Sequence, residues 1–301
     1  MTNDMTRGRI LPQLISFTIP LVLGNLFQLT YNAADSMIVG RYLGGQALAA
    51  VGTAGPIMNL AILFISGMCM GAGILMSTQY GAKQQDVLER QISTTLLSGL
   101  VFSFFVTLSM MVLAKPVLTL IRVPEEILDS ACGYLRIIFT GFLFTFAYNF
   151  FSSTLRALGD SKASLYFLVI SSVFNIAGDL LFVAVFRWGV NGSALATVLS
   201  QMICCLCCMI YIQKKVPLLG KRWLIFDKCL LSRTFSFGIT SALQLMCVQL
   251  GKVCVQSMVN MQGIAFMAAF TAVNRVDDFA LTPQQNIAHA ATTFMAQNKG
   301  A

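Results

Sequence analysis

The chain has 301 residues, 56% of them hydrophobic and only 11% charged, with a mean hydropathy of +0.75. Soluble domains carry about 25% charged residues, so this composition excludes a soluble globular fold and requires apolar surface that meets lipid. The net charge of +8 lies in short gaps between long apolar runs, not in a basic stripe with interleaved aromatics, which excludes nucleic acid as a partner.

A membrane span needs about 20 apolar residues, and eight such runs follow in order: 14–40, 47–79, 91–114, 130–154, 163–187, 190–213, 232–260 and 264–297. The first is too long for the apolar core of a secretory signal, and no small-residue cleavage site follows it. It carries Tyr31 and Asp35 one helical turn apart, near its outer end. The second and eighth are long enough to tilt or kink, with Gly55-Pro56 and Pro283 as breaking points. The fourth carries Tyr134; the fifth carries Asn175 and Asp179, an i, i+4 pair on one helix face. Thr197 enters the sixth at a similar depth, ahead of Cys204-Cys205-Leu206-Cys207-Cys208. These cysteines spread around a helix and lack paired C-x-x-C spacing or a nearby histidine, so they read as small apolar residues and not as a metal site.

The predicted organisation is all-α: an N-lobe of six spans over 1–213, a basic connector over 214–231, and a partial C-lobe of two spans over 232–301. Alternating gaps receive thirteen Lys/Arg on one side and four on the other. By the positive-inside rule both chain ends are cytoplasmic, in an inner or plasma membrane. Sliding the chain by 219 residues superposes Gly44 on Gly263, Ala49-Ala50 on Ala268-Ala269, Met76 on Met295 and Gly81-Ala82 on Gly300-Ala301. Both copies start on the same side, which makes this a parallel repeat. The second copy stops after two spans, so four further spans are expected beyond Ala301.

Ionisable groups inside a span are costly and mark function. Depth places Asp35, Asn175, Asp179, Thr197 and Tyr31 in one outer-half pocket. Two buried carboxylates there cannot both stay ionised cheaply, so the pair takes up a proton or a hard cation such as Na⁺, or else forms a structural polar network. In the seventh and eighth spans Lys252, Asp277 and Asp278 are secondary candidates, read first as mutual charge neutralisation. His289 is the single histidine. The chain shows neither a clustered catalytic set nor a phosphate-binding glycine loop, so neither an enzyme nor an ATP-driven pump is expected.

In order along the chain, Ala33–Arg41, Gln79–Lys83, Leu155–Lys162, Asn175–Asp179, Gly189–Thr197 and Gln297–Ala301 resemble segments of the multidrug and toxic compound extrusion family of antiporters. The resemblance implies two six-helix lobes around a central cavity that exchanges outward-facing and inward-facing states. It also implies expulsion of organic cations against inward H⁺ or Na⁺, with no other cofactor. Asp35, Asn175, Asp179 and Thr197 match the family's N-lobe cation site, and Tyr31 and Tyr134 match its polar surround. A lipid-linked saccharide flippase of the same architecture, or a non-transporting fragment, are the alternative readings.

Overall fold

The computed structural model describes residues 5–6, 8–121, 123–215, 225–260 and 264–301, and between 252 and 279 it describes the side chains of 255, 258, 273 and 277 alone. The described residues form helices α1 (Ile10–Leu43), α2 (Gly45–Gly81), α3 (Gln85–Leu120), α4 (Glu125–Thr140), α5 (Phe142–Ala157), α6 (Ser161–Asp179), α7 (Val190–Lys215), α8 (Lys228–Asn260) and α9 (Ile264–Gly300). Only helices satisfy every backbone group within one segment in lipid, which is why apolar runs of this length fold so.

Five of them, α1, α2, α3, α6 with its continuation, and α7, are long and apolar enough to cross a membrane. A sixth span is broken, because α4 and α5 meet at 48° around Gly141. The sequence expectation of one continuous span over 130–154 is corrected here. At Gly141 a Cβ would lie 2.5 Å from a Val198 methyl, so the missing side chain lets α7 into the bend. α2 and α9 run unbroken through Pro56 and Pro283, so those prolines end no helix. The chain beyond α6 continues as a π-helical turn, Leu180–Val185. α8 and α9 have 33 and 37 residues, the length of spans.

Lipid is written on α3. Val101, Phe102, Phe104, Phe105, Leu108, Met111, Val112 and Leu113 are all exposed, a surface that water would not tolerate in one patch. Inside, the broken span buries two sets of ring contacts, Phe139 with Phe142 at 5.2 Å across the bend and Phe146, Phe150 and Phe151 at 5.6–5.9 Å along α5. α8 lies along α2 by small-residue packing: a Cβ on Gly71 would fall 2.4 Å from the Gly238 nitrogen, and one on Gly67 2.3 Å from the Ala242 Cα. Backbones approach this closely only where side chains are absent. The end of the connector docks on α3, where Ile225 N donates to Ser93 Oγ at 2.8 Å and Asp227 N to Thr94 Oγ1 at 3.1 Å.

At one end of the bundle, which we call the closed end, α2 and α9 finish against each other. A Cβ on Gly81 would lie 1.9 Å from the Gln297 carbonyl oxygen, and one on Gly300 would lie 1.9 Å from the Thr78 carbonyl oxygen. At the 219-residue offset Gly300 corresponds to Gly81 and Gln297 to Thr78, so the contact is reciprocal, as a pseudo-two-fold axis through this point demands. Gln297, fully buried, ties the junction: its Oε1 accepts from Met5 N at 3.1 Å and its Nε2 donates to Ala157 O at 2.8 Å.

Candidate functional site

The expected outer site is built where α1, α4, α6 and α7 converge. Gly178 on α6 lets the Ala196 turn of α7 come within 2.9 Å of where a Cβ would be. That approach sets the buried ends of the two helices face to face. Asn175 Nδ2 donates to Thr197 Oγ1 at 3.2 Å, and Ser193 Oγ donates to Asp35 Oδ1 at 2.8 Å. Asp179 is fully buried and faces Asp35 and Ser193. Tyr134 is buried within electrostatic range of both carboxylates, and Tyr31 is near Asp35 and Gln28.

The chemistry of this cluster is one-sided. Among the described residues, neither oxygen of Asp179, nor Asn175 Oδ1, receives a hydrogen bond. Burying a carboxylate without a donor or counter-charge is expensive. A set of carboxylate, amide and hydroxyl oxygens converging without a basic side chain is suited to a proton or a hard, oxygen-seeking cation. The placement of Asp179 at the last α-helical turn before the π-turn fits the tendency of such turns to occur at functional positions.

Ser193 was absent from the sequence-derived set. Its signal was available, since it sits one helical turn before Thr197 on the same face of α7. Of the secondary candidates, Asp277 is exposed, and the side chains of Lys252 and Asp278 lie outside the described residues.

Beneath the acid cluster a cavity of about 340 Å³ opens between α1, α2, α5, α6 and α7 on one side and α8 and α9 on the other. Tyr31 lines it at the end near Asp35; Arg156 and Ala157 line it near the closed end. Asn25 of α1 donates to Asn286 of α9 at 3.3 Å across it. Arg156, one of the thirteen basic residues that the sequence assigns to the gaps on one side, is partly buried and turned into the cavity. The chain reverses at Leu158-Gly159, where Gly159 takes a φ of +83°. That reversal leaves Arg156 on the last inward-facing turn of α5 and out of the loop.

The MatE family model matches residues 20–181. Two probable multidrug resistance proteins of Bacillus subtilis are similar over the whole chain. YpnP is 34% identical across 99% of this chain and 67% of its own length. YoeA is 32% identical across 100% of this chain and 67% of its own. Among solved structures, a MATE protein in the straight conformation matches with a TM-score of 0.90 and 23% identity, over 99% of this chain and 67% of that one. An outward-facing multidrug resistance MATE transporter of the MOP superfamily matches at 0.88 and 22%, over 99% and 66%. The chain thus spans about two thirds of the length of the relatives it matches.

Proposed function

The chain belongs to the multidrug and toxic compound extrusion family, and from that premise we propose that it works in secondary active efflux, exchanging organic cations for H⁺ or Na⁺ by alternating access. The observation that carries the reading is the donor-poor acid cluster, in which both Asp179 oxygens lack a hydrogen bond among the described residues, beside the Asp35 carboxylate.

In this mechanism Asp35 and Asp179 hold the coupling ion, with Asn175, Thr197 and Ser193 supplying neutral oxygens and orienting the carboxylates. Tyr31 and Tyr134 wall the site against the apolar core. The ion neutralises buried negative charge and so stabilises the arrangement of α1, α6 and α7 that closes around it. Substrate in the cavity below favours the other arrangement. Coupling then equals the difference in each ligand's affinity for the two states, and it requires neither ATP nor a covalent step. In this reading the closed end and both chain ends lie at the cytoplasmic face of the cell membrane, which the excess of Lys and Arg in the gaps on that side supports.

The test is efflux of a fluorescent organic cation from vesicles under an imposed pH or Na⁺ gradient, with expression and folding checked in parallel. Asp35→Asn and Asp179→Asn should each abolish gradient-driven efflux. Asn keeps the size of Asp but neither titrates nor offers a negative charge. Full gradient-driven efflux by the double variant would overturn the coupling role.

A further inference from the structure

The cavity contains a charge that the coupling mechanism does not use. Arg156 opens onto it from α5, and its Nη1 donates to Ser152 Oγ at 3.0 Å. That is the one hydrogen bond the guanidinium makes among the described residues, although the group carries five N–H donors. Among the described residues, no Asp or Glu lines the cavity. The acid nearest in sequence, Asp160, is directed elsewhere: its Oδ1 accepts from Ala163 N at 3.0 Å and its Oδ2 from Tyr211 Oη at 2.8 Å. Tyr148 and Cys69 are the groups that sense the guanidinium, and both also line the cavity.

A second donor group comes from the other lobe. His289 on α9 lies within electrostatic range of Arg156 and faces the same space. Thr292 and Thr293 extend the polar wall on that side, and Tyr148, Asn149 and Ser153 extend it on α5. This end of the cavity therefore inverts the outer cluster: there, two carboxylates meet with no basic side chain among the described residues, and here donors converge around a guanidinium with no carboxylate among the described lining residues. A partly buried guanidinium is unfavourable without a compensating partner. Its planar fork is matched to a carboxylate, which it binds through two parallel hydrogen bonds.

We propose that Arg156, with Tyr148 of α5 and His289 of α9, forms an anion-binding subsite that takes the carboxylate of a zwitterionic substrate. The inference rests on the transporter reading for the cavity's role and sharpens its substrate class. From Thr145 to Arg156 the α5 wall spans eleven residues, about 16 Å at 1.5 Å per residue. A substrate whose cationic ring lies toward Tyr31 can therefore place its carboxylate at Arg156. The subsite straddles the two lobes beside the Ala157–Gln297 junction, so an occupying carboxylate also bridges them.

The experiment is equilibrium binding to the protein in nanodiscs, by fluorescence polarisation, of two probes: a rhodamine bearing a free carboxylate, and its ethyl ester with the same cationic ring system. No gradient is present, so failure of the coupling reading at Asp35 and Asp179 does not obscure the result. The acid should bind about tenfold more tightly than the ester, or better, as a charge-assisted pair requires. Arg156→Gln should bring the ratio near one while leaving ester affinity in place. Arg156→Lys should keep part of the preference, and His289→Gln on the opposite wall should reduce it. Equal affinities in the unaltered protein would overturn the proposal without recourse to any variant. So would a full preference retained by folded Arg156→Gln, or, should that variant not fold, by His289→Gln.

Discussion

Replacing Gly81 with alanine puts a methyl carbon 1.9 Å from the Gln297 carbonyl oxygen, 2.7 Å from its carbon and 2.9 Å from its Cα. All three are backbone atoms of α9, so no rotamer change relieves the clash. Ordinary contact begins at 3.4 Å, and the helix ends must part by about 1.5 Å to reach it. Overpacking of this kind costs about 1–3 kcal/mol. The strain exists only while the closed end is closed. Gly81→Ala should therefore shift the protein roughly 5- to 150-fold toward the state in which α2 and α9 separate. Ser77 reports that state: it is buried at 1% exposure and donates to Gly73 O at 2.8 Å one turn inside the junction. In a background with the native cysteines replaced, Ser77→Cys should react with a maleimide faster when Gly81→Ala is present, by a factor in that range. Gly300→Ala should act the same way, since its Cβ would meet the Thr78 oxygen at 1.9 Å. Gly55→Ala on the same helix meets nothing within 4 Å and serves as the control. An unchanged labelling rate in folded Gly81→Ala protein would refute the assignment of this contact as a closure.

Further outcomes are open to measurement. Asn175→Ala, Thr197→Ala and Ser193→Ala each remove a neutral ligand and should weaken coupled efflux less than either carboxylate substitution, as a reduced but measurable rate in the vesicle assay. Gln297→Ala leaves buried Met5 N without its acceptor, while Ala157 O keeps only the Ser77 hydroxyl at 3.4 Å, and should cost about 1–3 kcal/mol, seen as a lower thermal midpoint in nanodiscs. Cys208→Ala removes one small apolar group from a buried position and should leave efflux unchanged, because no step of the mechanism passes through it.

Sequence alone determined the solvent and the secondary structure. Eleven percent charge and apolar runs of about 20 residues admit only a membrane helix bundle, because lipid leaves the backbone no other way to satisfy itself. The family, too, was legible, from short segments in a fixed order. So were Asp35, Asn175, Asp179 and Thr197 as candidates, since a polar group in a span stands out against its neighbours and helix spacing states which of them share a face. What sequence could not supply was pairing across helices. Ser193 joined the cluster because Gly178 admits α7 to the one distance at which its hydroxyl reaches Asp35. The break at Gly141 depends on where Val198 of a distant span arrives. Arg156 carried no signal at all: by position it belongs with the juxtamembrane charges, and only the turn at Gly159 decides that the guanidinium points into the cavity and not into solvent. Periodicity is a property of one helix and can be read from its residues, whereas a site between helices depends on their rotation and depth, which packing alone sets.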